Sequence, residues 1–349
     1  MKRPVGLMIG IALALAMAGC GGDDAGERSE VVLVTHDSFV VSKAVRAAFE
    51  RQSRLRLRIL QTGDAGAALN RALLTKGNPE GDVFFGVDNN LLSRALEEDL
   101  FEPYESAELE SVPDRYELDR EHRVTPIDHG EVCLNVDKGW FAERSVVPPR
   151  SLADLTDQRY RGLLVVENAA TSTPGLAFVL ATVARFGEPG WEDFWRKLRA
   201  NDVLVVDGWE AAYTAQFSGA GGSNGKRPIV VSYASSPPAE VVFAGKPLEE
   251  APTAVVEDSC FRQVELAGVL RGTQNESGGR TLIDFMLSER FQAGLPLSMF
   301  VFPVRDGVEL PEAFRKFAVV PERPLELSPA EIGANRDRWI RTWTSIVLR

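Results

Sequence analysis

The sequence predicts an α/β protein of two lobes, each a mostly parallel sheet flanked by helices, joined by a two-strand hinge. Three observations lead there. Short β-branched strands alternate with amphipathic helices over residues 31–97, and the same alternation resumes over 163–232. Two long strand-like segments, 124–136 and 260–269, leave and re-enter the first set. The chain has 349 residues, enough for about two domains of ordinary size. It is 44% hydrophobic and 26% charged, a balance that supports a packed core and excludes a disordered or collagen-like chain.

In the first unit, Val31-Val32-Leu33-Val34 reads as a buried strand that exits at Thr35-His36-Asp37-Ser38. Ser42 is placed to cap a helix carrying Val45 and Phe49 on one face. Arg54-Leu55-Arg56-Leu57-Arg58-Ile59-Leu60 alternates strictly, as a strand with one polar face does. A helix bearing Leu69, Ala72 and Leu73 follows, then the strand Asp82-Val83-Phe84-Phe85-Gly86, then a helix with Leu91, Leu92 and Leu96 for which Asp88 is the expected cap. The second unit runs as strand 163–166, helix from Pro174, strand 203–206, helix from Trp209 and strand 229–232. After the returning hinge come a helix at 282–287 and the strand-like Phe300-Val301-Phe302-Pro303-Val304. The second lobe is therefore expected as an insertion: lobe 1 is 31–130 plus 261–305, and lobe 2 is 131–260 plus 306–349, with the C-terminal helices packed on it.

The amino terminus reads as an export signal. Lys2 and Arg3 precede an apolar run over 5–18, shorter than the roughly 20 residues that span a membrane. The run closes on Met17-Ala18-Gly19-Cys20, which resembles the bacterial lipoprotein signal. Residues 1–19 are then the signal peptide, Cys20 the lipidated residue, and 20–29 a flexible tether. The expected location is outside the cytoplasmic membrane, held to its outer face or in the periplasm by the lipid alone. The net charge is −11, and removal of Lys2 and Arg3 makes the remainder more acidic, which argues against a nucleic-acid partner.

Ligands of open α/β sheets bind beyond the carboxyl ends of the strands, so strand exits nominate site residues. In the first unit these include His36, Asp37 and Asp64; in the second, Thr171-Ser172-Thr173-Pro174-Gly175, Gly208-Trp209 and Tyr233. The hydroxyl-rich run with Pro behind it reads as a helix start, either a well-capped helix and nothing more or an anion site for phosphate or carboxylate. Trp209, Tyr213 and Tyr233 cluster at strand exits and Phe300 lies near the returning hinge. Such rings serve as core or as a clamp for a flat, cationic ring.

The order of several rare strings then carries a family resemblance: Thr35-His36-Asp37-Ser38-Phe39, Gly86-Val87-Asp88-Asn89-Asn90-Leu91-Leu92, Thr171-Ser172-Thr173-Pro174-Gly175-Leu176, Gly208-Trp209-Glu210-Ala211-Ala212-Tyr213, Ser232-Tyr233 with Ser236-Pro237, Gln263-Val264-Glu265, and Pro329-Ala330-Glu331 with Arg338-Trp339-Ile340. Over nearly all of residues 31–349 the chain resembles the thiamine-binding periplasmic components of ABC importers, in the two-lobed periplasmic-binding-protein superfamily, type II-like. The resemblance implies a monomeric, non-enzymatic receptor that takes thiamine or its mono- or diphosphate from the interlobe cleft to permease subunits in the membrane. It implies Trp209, Tyr233 and Phe300 as ring-binding aromatics, Asp64 as a polar contact, and Thr171, Ser172 and Thr173 as hydroxyl-end or phosphate contacts. His36, Phe300 and Ala239 stand where the family's pattern has Tyr, Trp and Tyr; the first two keep a flat ring and the third loses one. Another small solute, such as a polyamine or an organophosphate, is the alternative ligand.

Other motifs lead elsewhere or nowhere. Residues 219–226 lack the glycine and hydroxyl of a phosphate loop, with Ala220 and Arg227 in those places. His122 and His129 have no third ligand at a metal-site spacing, and three histidines in unrelated contexts assemble no Ser/His/Asp or Cys/His set. An exported hydrolase using His36 or His129 is the remaining enzymatic alternative. No Tyr-Tyr pair of the iron-binding kind occurs, and Asn275-Glu276-Ser277 carries no weight as a sequon. No cofactor or metal is expected. Cys133 and Cys260 fall on the two hinge segments, which in an exported protein makes them a disulfide candidate, the alternative being two buried thiols.

Overall fold

The computed structural model describes residues 29–349. The expected signal peptide, Cys20 and the tether up to residue 28 lie outside the described residues. Ten strands form one sheet: β1 Glu30–Thr35, β2 Arg56–Gln61, β3 Val83–Asp88, β4 Phe101–Glu102, β5 Thr125–Asp137, β6 Leu164–Glu167, β7 Leu204–Val206, β8 Ile229–Tyr233, β9 Thr253–Leu270 and β10 Phe302–Pro303. Their spatial order is β2-β1-β3-β9-β5-β8-β6-β7, with β4 on β9 and β10 on β5.

The alternating strands and helices of the sequence produce two parallel sets. β1 pairs in parallel with β2 and β3, and β6 pairs in parallel with β7 and β8. Each parallel connection needs a crossover helix, and the helices after β1, β2 and β6 supply three of them. β5 and β9 join the two sets by antiparallel pairing with β3, with each other and with β8. The two expected sheets are thus halves of one continuous sheet.

The β5–β9 ladder breaks register in the middle. Val132 pairs with Phe261, yet Leu134 pairs with Val256, so four residues of β9 bulge opposite Cys133. Cys260 is the last of those four and is bonded to Cys133, with Cα atoms 4.2 Å apart. Ser259 steadies the bulge by accepting the Leu134 N–H at 2.8 Å and donating to the Val256 carbonyl at 2.6 Å.

Some elements differ from expectation for local reasons. Trp209 opens a single wide π-type turn, Ala211–Gln216, which gives way to the glycine-rich 218–225 loop. The strand-like 300–304 shortens to two residues, because Phe300 turns left-handed at φ 55° and Pro303 has no N–H to pair. Asp88 caps a turn, accepting the Asn90 and Leu91 N–H groups, and the helix starts later at Leu92. The closing helix Pro329–Val347 starts where Ser328 accepts the Glu331 N–H. It sets Trp343 edge-on against Trp195 of helix Gly190–Ala200, centroids 5.6 Å apart, and Arg336 reaches Ser93 of helix Leu92–Glu97. It therefore touches both α/β units. Among the described residues no helix is long and apolar enough to cross a membrane.

Candidate functional site

The strand ends of both units converge on a cavity of about 570 Å³, a volume within the usual range for small-molecule sites. His36, Asp64, Glu265 and Phe300 reach it from the first unit and its returning chain; Thr173, Trp209, Tyr213 and Tyr233 reach it from the second.

The aromatic wall is built on the second unit. Gly208 brings the backbone of the turn so close to Asp64 that a Cβ at position 208 would lie 2.8 Å from Oδ2. Trp209 follows, its N–H donating to Asp64 Oδ2 at 3.0 Å and its indole Nε1 donating to Ser232 Oγ at 2.9 Å. Tyr213 stacks on Trp209, with centroids 5.1 Å apart and planes 14° from parallel, and its OH donates to Glu240 Oε1 at 2.8 Å. One indole is thus fixed at three points, leaving a half-buried face toward the cavity. Phe300 also lines the cavity, held in the left-handed region, an uncommon conformation for a bulky residue, and Ser235 donates to its carbonyl at 2.5 Å. Phe243 packs against the Phe300 ring and Phe314 stacks behind it.

Carboxyl groups lie on the wall, at Asp64 and Glu265, and buried behind it, at Asp128 and Asp88. Glu265 on β9 lies directly across the ladder from Asp128 on β5. Burial raises both, and their mutual repulsion drives Glu265 well above the usual carboxyl range. His36 Nε2 sits 3.7 Å from Glu265, while Nδ1 meets Ser38 Oγ at 2.8 Å. Burial pulls that imidazole down to about 4, so it is neutral and Nε2 is left without a hydrogen-bond partner. Burial pushes Asp64 up to about 6, opposed by the Trp209 N–H. Asp88 is likewise raised to about 6 and anchors Gln263 Nε2, which also donates to Thr173 Oγ1 at 3.1 Å.

Of the residues nominated from sequence, His36, Asp64, Thr173, Trp209, Tyr213, Tyr233 and Phe300 line the cavity. Asp37 is exposed at the β1 exit, and Thr171 and Ser172 stand back from the wall. Thr171 donates to the Asp207 carbonyl at 2.7 Å, and Ser172 is buried beside Asp64. Ala239 lines the wall with its methyl only. Among the described residues no three His, Cys, Asp or Glu side chains converge on a metal position.

The model of one bacterial extracellular solute-binding protein family matches residues 78–320. The chain belongs to that family. As a member it is an extracytoplasmic solute-binding protein. It is 30% identical to the thiamine-binding periplasmic protein of Salmonella typhimurium, over 91% of this chain and 94% of that one. The Escherichia coli thiamine-binding periplasmic protein is 29% identical over the same shares. Among solved structures, a periplasmic thiamin binding protein superposes with a TM-score of 0.81 at 28% identity, covering 92% of this chain and 96% of its own. A fructose-6-phosphate-bound periplasmic binding protein, AfuA from Actinobacillus pleuropneumoniae, shares the fold at 15% identity and a TM-score of 0.74, over 92% of this chain and 99% of its own.

Two wall residues of this solute-binding protein, Glu265 and Glu240, and Asp128 behind Glu265, were not named as site residues from sequence, although Gln263-Val264-Glu265 is one of the strings that carry the resemblance. Glu265 and Asp128 each interrupt an apolar strand, and an isolated acid in a buried run is a signal that could have found them. Glu240 had no such mark. Its role depends on Tyr213 and Gly221, which meet it only in the fold.

Proposed function

We propose that the protein captures thiamine, or thiamine mono- or diphosphate, in this cavity and delivers it to the permease subunits of an ABC importer. The observation that carries the reading is the fixed Trp209 indole with carboxylates beside it: a flat cationic ring is attracted both to an aromatic face and to nearby negative charge. Asp64 is the acceptor for an amino donor on the second ring. Residues 131–260 and 306–349 form one lobe that turns against 31–130 and 261–305, with the register break at Cys133 and Cys260 as the hinge. Cys20 carries the lipid that holds a monomeric receptor at the membrane. The relatives named above support the thiamine reading by their likeness over more than nine-tenths of the chain.

A thermal-shift panel on ligand-stripped protein tests it. Thiamine or one of its phosphates raises the melting temperature, whereas spermidine and hexose phosphates leave it unchanged; a shift with spermidine alone would replace thiamine by a polyamine. Labelling with a radioactive fatty acid, lost in Cys20→Ala, tests the anchor.

A further inference from the structure

We propose that Phe243 is a ligand-contacting residue: its ring covers a flat ring of the bound ligand at the mouth of the cavity and slows its escape. The inference rests on the thiamine reading for the identity of that ligand and adds a contact to it. Among the described residues Phe243 is the one aromatic residue left mostly in water, at 69% exposure. It nonetheless lines the cavity, and so do the exposed Val40 and Leu297, so the three mark its opening. They come from separate stretches: the loop after β1, the short helix Leu295–Ser298 and the end of helix Ser236–Val242. Apolar side chains scattered singly over a surface need no explanation, but three gathered at one opening form a patch with a function.

The sequence of helix Ser236–Val242 aims the ring. Ser236, Ala239, Glu240 and Phe243 all line the cavity, and steps of three, four and seven residues put them on one helical stripe. The Phe243 N–H donates to the Ala239 carbonyl at 2.9 Å, so the stripe runs one residue past the helix. It is fixed to the aromatic wall, because Ser236 Oγ accepts the Tyr233 N–H at 3.1 Å and Glu240 accepts the Tyr213 hydroxyl at 2.8 Å. Phe243 stands one turn beyond the Ala239 methyl, at 60° to the Phe300 ring with centroids 5.4 Å apart. Phe300 is itself backed by Phe314, stacked at 6.2 Å. Phe243 thus has one aromatic partner of fixed geometry and a ring otherwise bare, ready to take a second aromatic surface. A ligand ring supplies that surface and removes apolar area from water only in the complex. The gain is lost again on departure, so it falls mainly on the off-rate.

Release of radiolabelled thiamine into excess unlabelled thiamine, from protein stripped and then reloaded, tests the contact. Phe243→Ala should release the label at least about tenfold faster than the wild type, with the melting temperature of the unliganded protein unchanged. Phe243→Tyr, which keeps the ring, should stay within about threefold of the wild-type rate. Equal release from the wild type and Phe243→Ala would overturn the inference and leave the thiamine reading intact. Release from Phe243→Tyr as fast as from Phe243→Ala would do the same. So would a wild-type dimer in sedimentation that Phe243→Ala dissolves, since the ring would then serve a contact between two copies. A wild type that retains no thiamine overturns both.

Discussion

Asp64 Oδ2 accepts the backbone N–H of Trp209 at 3.0 Å, tying the start of a helix in the first α/β unit to the aromatic turn of the second. The approach is possible because Gly208 precedes the indole: any side chain there would meet the carboxylate. A second seam lies beside it, where the Ala67 N–H donates to the Thr171 carbonyl at 3.1 Å and a Cβ on Gly66 would lie 2.7 Å from that oxygen. At both seams a neighbouring glycine, Gly208 or Gly66, allows the close approach, next to residues that face the cavity.

Gly66→Ala should keep the units apart, because the obstructing atoms at Thr171 are backbone and cannot rotate away. Ligand affinity is expected to fall at least about tenfold, equivalent to about 1.4 kcal/mol. Small-angle scattering of the variant with saturating ligand should show a larger radius of gyration than the wild type; an unchanged radius and affinity would mean that this seam does not limit closure.

Trp209→Ala and Tyr213→Phe separate the cavity face from its support. The first removes the half-buried indole and should weaken thiamine binding at least about tenfold, in keeping with about 1–2 kcal/mol for a desolvated cation–π contact. The second removes only the hydroxyl that Glu240 accepts, leaving a buried carboxylate short of one partner. It should lower the melting temperature more than it lowers affinity. Equal affinity losses in the two variants would contradict the division of labour.

Acidity should loosen the grip on a cationic ligand. Burial raises the Asp64 carboxyl from 3.8 to about 6, so between those values the folded protein holds a proton that the unfolded chain has released. The cost of burying the charge is therefore fully present above about pH 6 and fades as pH falls toward 4. A cation needs the ionised form, so affinity is full well above pH 6 and lost as pH drops through it. Titrations at about pH 7.5 and 5 should differ about tenfold, and Asp64→Asn should flatten the profile; a wild type indifferent to pH would show that the ionised Asp64 carboxylate does not contribute to binding.

Much of this was readable in the sequence, and the unreadable part has a common cause. Local periodicity placed β1, β2, β3 and β8 within a residue or two, because alternation and β-branching report on one strand at a time. The pairing of Asp128 with Glu265 depends on the register between β5 and β9, which no local pattern encodes. The same holds for the joining of two parallel sets into one sheet. Thr171, Ser172 and Thr173 looked like one hydroxyl cluster, but adjacent residues at a helix start point in different directions, and only Thr173 reaches the cavity. The aromatic set was legible because Gly-Trp at a strand exit leaves an indole few places to go.

The Cys133–Cys260 bond closes a loop of 127 residues across the register break. In the chain-entropy account such a loop contributes about 5 kcal/mol, less any native strain. The Cys133→Ala/Cys260→Ala double variant should melt well below the wild type, and non-reduced mature protein should show neither thiol open to alkylation. Two alkylatable thiols in the folded, non-reduced protein would contradict the bond.

Calorimetric titration of ligand-stripped protein with thiamine bears most directly on the whole account. Saturable binding of one thiamine per chain is expected, strongest near neutral pH and weakened in Trp209→Ala. No heat and no thermal stabilisation with thiamine, from a protein that does bind another small solute in the same cavity, would contradict it.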